Sequence, residues 1–198
     1  MNTDKNAIQT FLSFTLREEV FAINVSKVIN ILEMKPITKV PKTPAFMRGV
    51  INLRGMVLPV IDLRIKFGLP RKEATVDTSI IVLNINKDGD SVMLGILVDA
   101  VKEVLELKMD EIAPSPSIGT RYDAGFIEGM WQVDENFIML LDIDKVFSVD
   151  DVIDFKDQIE MSVNKAAGDT DKKDSKPQTK DEKSGKNTGN KAKATSAK

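Results

Sequence analysis

The chain has 198 residues, 42% of them hydrophobic, which is enough apolar side chain to pack a core without covalent staples. It contains no cysteine and no histidine, excluding disulfides, thiolate or histidine-bearing zinc sites, and Ser-His or Cys-His nucleophile systems. The net charge of −2 conceals two unlike parts. Residues 162–198 hold ten lysines and five acids, so the first 161 keep 18 of the 28 basic and 25 of the 30 acidic residues, a balance of −7 that argues against nucleic acid as the main ligand.

The opening MNTDKNAIQTF has no basic-then-apolar signal pattern, and the run Val92 to Val98 is far shorter than the roughly 18 residues that span a bilayer. A cytoplasmic protein without direct membrane insertion is expected. Leu12, Phe14 and Leu16 alternate with Ser13 and Thr15, and Phe21, Ile23 and Val25 alternate again, which predicts a first hairpin turning at Arg17 to Glu19. Ser26 is placed to cap a short helical turn carrying Val28, Ile31 and Leu32, kept brief by the prolines at 36, 41 and 44. Val50 to Leu53 and Met56 to Ile61 form a second hairpin around Arg54-Gly55, with Pro59 suited to an edge or a bulge. Asp62 then caps a helical turn ending at Gly68.

Ile80 to Ile85 and Val92 to Val98 flank a turn marked by Asp88-Gly89. Counted as a calcium loop from Asn84, that segment has Gly95 where the bidentate Glu belongs, so a plain hairpin is expected. Strands near Phe126 to Val133 and Phe137 to Leu141 follow, then a turn and a helix over about 149–161, with Ser148 and Asp151 spaced for capping. Residues 162–198 have Val163 as their only large apolar side chain and are expected to form a disordered, lysine-rich tail.

The chain repeats itself at a spacing that changes once. At an offset of 80, Phe46 to Phe67 lies on Phe126 to Phe147 without a gap, with identities at Phe46/Phe126, Gly49/Gly129, Asp62/Asp142 and Phe67/Phe147. At an offset of 73, Val20 to Leu32 lies on Met93 to Leu105, aligning Ile23/Ile96, Val25/Val98 and Val28/Val101 and placing Ser26 on Asp99 as equivalent caps. An insertion within Ser115 to Gly125 accounts for the difference of seven. Two small β-barrels, from repeat segments near 11–68 and 80–147, are expected to share one apolar seam within a body of residues 1–161. Whether they exchange strands is left open by the repeat.

Equivalent positions in a duplication share structural roles, while function is free to differ. Asp62 and Asp142, alike in both copies, are expected to be helix caps rather than paired catalytic acids. Three pairs reverse sign: Arg48/Glu128, Arg54/Asp134 and Arg64/Asp144. They suggest a molecule basic on one lobe and acidic on the other, suited to inter-lobe, head-to-tail contacts with a similarly built partner. No glycine-rich phosphate cradle is present, and Trp131, equivalent to Ile51, is expected in the core. No enzyme chemistry, cofactor or metal site is indicated.

The segment TPAFMRGVINLRGMVLPVIDLRIKFG, preceded by FAINVSKVINIL and followed by GILVDAVKEVL, resembles the signature of the CheW family of chemotaxis coupling proteins over residues 9–150. The resemblance implies a mostly β fold of two pseudo-symmetric SH3-like five-stranded barrels around a shared hydrophobic core. It implies a non-enzymatic adaptor joining the histidine kinase CheA, through a regulatory domain of the same fold, to the cytoplasmic tips of chemoreceptors in arrays. Arg54 matches the family's coupling arginine, with Gly49 and Gly55 on either side of it. Val28, Asn30, Val98 and Val101 match the region near the inter-lobe groove that receives the receptor tip, and the family often has an acid where Asn30 stands. Alternatives are an adaptor of a non-flagellar chemosensory pathway and, from the basic tail, a nucleic-acid-binding barrel.

Overall fold

The computed structural model describes residues 7–87, 89–115 and 124–148, together with Asp151 and Phe155. Its strands are β1 (Ile8–Leu16), β2 (Glu19–Asn24), β3 (Val28–Glu33), β4 (Met47–Leu53), β5 (Met56–Asp62), β6 (Ser79–Lys87), β7 (Asp90–Val98), β8 (Ala100–Lys108), β9 (Ile112–Pro114), β10 (Ile127–Val133) and β11 (Asn136–Leu141). Two one-turn helices, α1 (Leu63–Lys66) and α2 (Ile143–Val146), follow β5 and β11. The strands form two sheets, ordered β8-β1-β2-β11-β10-β9 and β3-β6-β7-β5-β4.

The two copies exchange strands. The repeat pairs β1 with β6, β2 with β7, β3 with β8, β4 with β10 and β5 with β11, and this substitution turns one sheet order into the other, β9 aside. Each sheet therefore joins a hairpin from one half of the sequence to three strands from the other half, with β9 as a fourth in the six-stranded sheet. The parallel contacts obey the same symmetry: Val60↔Gly95 and Ile61↔Ile96 between β5 and β7 become Leu140↔Ala22 and Leu141↔Ile23 between β11 and β2.

Bulges recur at equivalent places. The β4–β5 register shifts between Met47 and Gly49, and the β10–β11 register between Ile127 and Gly129. Glycine is required at both because another chain segment crosses there. A Cβ on Gly49, whose φ is +136°, would lie 2.1 Å from the Thr38 carbonyl oxygen, and one on Gly129 would lie 2.4 Å from Ile112 Cγ2. Those crossings also locate the insertion. Thr38 bridges Val50 as Ala113 pairs with Met130, an offset of 75, so two of the seven extra residues precede Ala113 and five follow it, reaching into 116–123, outside the described residues.

Several local expectations are corrected. Ser26 caps no helix: Val25–Lys27 is one 3₁₀ turn, capped by Asn24 through a 2.9 Å bond from the Ser26 N–H, and β3 begins at once. Asp99 likewise opens β8 rather than a helix. Both segments alternate apolar residues closely enough to fit a helix or a bulged strand, and sheet pairing decides for the strand. Pro59 lies inside its sheet, not at an edge or a bulge. Val50 turns its N–H and C=O outward to Thr38, so the facing Pro59 turns its nitrogen toward β7. Lacking an N–H there, β5 starts its β7 ladder only at Val60, whereas β11 pairs with β2 from Ile138. Ser13 is buried, bonding the Glu103 carbonyl oxygen (2.8 Å) and N–H (3.1 Å) where β8 bulges against β1. Trp131 is only half-buried, packing at the margin of a small cluster of Phe11, Ala22, Leu107 and Leu140.

The main core lies between the sheets and draws on both copies, with Phe14, Phe21 and Ile23 meeting Ile61, Ile81 and Ile96. Along the seam Phe67 stacks on Phe126 at 4.8 Å, a contact across the duplication. The chain closes over this seam as the capping pattern predicts: the Ser148 N–H donates to the Asp151 carboxylate (2.8 Å) and the Asp151 N–H to the Ser148 hydroxyl (3.1 Å). Asp151 and Phe155 are helical, and Phe155 is fully buried edge-on to Phe147. The rest of the expected 149–161 helix and all of 162–198 lie outside the described residues.

Candidate protein-interaction site

The β4–β5 hairpin presents Arg54 at its tip. A two-residue turn of this kind needs positive φ at both central positions, and Arg54 (54°) and Gly55 (87°) adopt it, secured by a 2.8 Å bond from the Gly55 N–H to Asn52 Oδ1. Arg54 is exposed, and its guanidinium has no ion-pair or hydrogen-bond partner among the described residues. Met56, 53% exposed, adds an apolar surface beside it. Asp134 holds the same turn position in the other copy, with φ of 51°, and is likewise exposed, so the two hairpin tips carry opposite charge.

The other sign reversals have internal explanations. Arg64, 7% exposed overall, pairs with the Asp99 carboxylate and donates from Nε to the Pro70 carbonyl oxygen at 3.1 Å. At the equivalent place Asp144 pairs with Lys27 and accepts a 2.9 Å bond from the Asn86 N–H. The same joint is thus bridged twice with the polarity inverted, between α1 and the β7–β8 connection and between α2 and the β2–β3 connection. Arg48 lies 3.9 Å from Asp62, which is buried and caps α1 through the Ile65 N–H. Its counterpart Glu128 is exposed, and Lys145 supplies the cation on that side. Lys145 bonds Asp142 at 2.7 Å, and this bond, together with the Asp142 and Glu128 charges, raises the lysine's pKa. Asp142 consequently stands at the cap position of α2 without making a cap bond, a departure from the expected equivalence with Asp62.

The remaining predicted residues fall into two settings. Val28 and Val101 begin the edge strands β3 and β8, half-buried against the main core. Val98 is 1% exposed at the end of β7. Asn30, half-buried on β3, turns its side chain back to accept the Ile31 N–H at 2.8 Å, between the exposed Ile29 and Ile31. Sequence reasoning missed Asp99, which collects Arg64, the Arg17 N–H (2.8 Å) and Lys72 (3.9 Å), because the repeat aligned it with Ser26 as a cap. It also missed Lys66, which bonds Asp151 at 2.7 Å and lies 4.3 Å over the Phe46 ring. Among the described residues no group of carboxylates is arranged to hold a metal, and no helix is long and apolar enough to cross a membrane.

This architecture agrees with comparisons to known proteins. The family model described as CheW-like domain matches residues 10–151. The chain belongs to the CheW-like family. It is 35% identical to the chemotaxis protein CheW of Klebsiella aerogenes over 144 residues, covering 73% of this chain and 84% of that one. It is 34% identical to the CheW of Thermotoga maritima over 151 residues, covering 74% and 93% respectively. Among solved structures, the scaffolding protein TtCheW from Thermoanaerobacter tengcongensis is similar with a TM-score of 0.64 at 34% identity, covering 72% of this chain and 94% of that one. The mostly β, two-sheet fold is therefore that of a chemotaxis coupling adaptor, and its family is one of scaffolds and adaptors.

Proposed function

We propose that this chain joins the histidine kinase CheA to the cytoplasmic tips of chemoreceptors, acting in the cytoplasm at receptor arrays without catalytic chemistry of its own. Arg54 is the coupling arginine, carried on the rigid Gly55 turn. Val28, Asn30 and Val101 border the receptor-tip groove, with Val98 buried in the core behind them, and the regulatory domain of CheA packs lobe to lobe. The observation that supports this most is Arg54 itself. It is an exposed cation without an internal partner, on a turn whose equivalent in the second copy carries Asp134. Elsewhere in the repeat a reversed charge is absorbed by a neighbour, and here it is left for another molecule.

Arg54→Glu tests the reading, because an exposed turn residue contributes little to folding. Capture of purified CheA and of receptor signalling fragments on the immobilised full chain is expected to fall about ten-fold or more, with the circular dichroism spectrum unchanged. Recovery of both partners at wild-type levels would remove Arg54 from the coupling surface.

A further inference from the structure

A second charged surface lies on the opposite flank of β4. The chain leaving β3 runs past β4 as Met34 to Val40 and leaves an open groove of about 500 Å³ against it. Four cations line this groove: Lys35, Lys39, Arg48 and Arg71. No carboxylate stands among the lining residues. Behind them Asp62 serves two guanidiniums at once, Arg48 and Arg71, each at 3.9 Å, while Lys35 and Lys39 are exposed without an ion-pair partner among the described residues. This positive surplus sits on a body whose first 161 residues carry −7.

The fold does not require that charge. At the equivalent places in the other copy, Glu128 replaces Arg48, Pro114 replaces Lys39, and Lys108 is neutralised by Glu111 at 3.6 Å. We infer that the groove docks an acidic peptide segment of a partner, two or more of its carboxylates meeting Lys35, Lys39, Arg48 and Arg71 while its intervening apolar side chains lie on Met34 and Ile37. A free phosphate would fill a small part of this volume and would make no use of the apolar lining. Nucleic acid would meet a single short basic strip with no aromatic side chain lining it for base stacking. At 3.9 Å from Asp62 neither guanidinium hydrogen-bonds it, and although Arg71 donates from Nη2 to the Ala45 carbonyl oxygen at 3.1 Å, both keep donors for the guest.

The inference goes beyond receptor–kinase coupling, and its test needs neither of those partners, so its failure leaves that proposal standing. A fluorescein-labelled peptide of alternating glutamate and valine is titrated into the full chain, followed by anisotropy and by amide shifts of ¹⁵N-labelled protein. Saturable shifts are expected at Lys35, Ile37, Lys39, Arg48 and Arg71. Lys35→Glu with Lys39→Glu is expected to weaken binding about ten-fold or more. Should that double variant lose its native spectrum, Lys35→Gln and Lys39→Gln separately are each expected to weaken binding about three-fold. Four results overturn the inference. They are shifts confined to residues 162–198, equal binding of a glutamine–valine peptide, the same shifts from inorganic phosphate at equal concentration, and tighter binding of a single-stranded oligonucleotide at the groove.

Discussion

Replacing Arg64 by alanine separates a buried ion pair from a half-buried one on the same architecture. The Arg64 side chain is 9% exposed and that of Asp99 14%, whereas Lys27 and Asp144 are each 26% exposed. Removing Arg64 strands Asp99 with Lys72, which is 3.9 Å away and 52% exposed, and leaves the Pro70 carbonyl oxygen without its donor. Breaking a buried pair costs about 3–5 kcal/mol, and the Arg17 N–H that Asp99 retains points to the lower end, about 3 kcal/mol. For a domain of this size that is a fall in melting temperature of roughly 6–12 °C. Lys27→Ala, acting on the more exposed pair, is expected to cost about 1 kcal/mol or less. Urea unfolding followed by tryptophan fluorescence measures both. In the double variant Arg64→Ala/Asp99→Ala the losses should fall short of additivity by about 1–3 kcal/mol. A cost for Arg64→Ala no greater than for Lys27→Ala, or additivity within about 0.5 kcal/mol, would refute the account of the sign reversal.

Gly129→Ala should destabilise by about 1–3 kcal/mol through the close approach of Ile112, and Gly49→Ala by more, because its new Cβ meets a backbone oxygen and its φ is positive; calorimetry ranks the two. Phe155→Ala should cost about 3–5 kcal/mol and expose the Phe147 ring, which raises binding of a hydrophobic dye. Acid should loosen the same closure. Burial pushes the Asp151 pKa up, but bonds from Lys66 and from the Ser148 N–H and hydroxyl outweigh it and hold the group below the ordinary carboxylate value. A depressed pKa gives stability that is present above the unfolded value and disappears as pH falls through the folded one. Asp151→Asn should therefore flatten the loss of stability as pH falls below about 4, and an unchanged pH profile in that variant would count against the role.

Much of this fold is legible in the sequence where a pattern has one physical meaning. The Arg54-Gly55 turn, the Asp62 cap and the Ser148/Asp151 capping box depend on neighbours within a few residues, and each is where local chemistry puts it. What escapes is decided by distant strands. Val28, Ile31 and Leu32 fit a helical face as well as a bulged strand, and only β6, some fifty residues on, makes β3 a strand. The strand exchange escapes for the same reason: a repeat defines which segments are equivalent but not which copy of each they pair with. The burial of Ser13 is not legible in the alternation around it, because its acceptor and donor, both on Glu103, lie ninety residues away.

The duplication therefore works as an internal control on function. Gly49 and Gly129 are identical because each faces a crossing segment that leaves no room for a Cβ, so their identity reports packing. Arg64 and Asp144 differ, yet each is matched by a partner of opposite sign at the same joint, so their difference also reports packing. Arg48 and Glu128 differ with a local compensation as well, from Asp62 on one side and Lys145 on the other. Once these are set aside, one reversal has no internal partner to explain it: Arg54 and Asp134, at equivalent turn positions, both turned to solvent. A charge that the fold neither needs nor neutralises is available to a partner, and that reasoning, rather than exposure alone, singles out Arg54 among the sign-reversed positions.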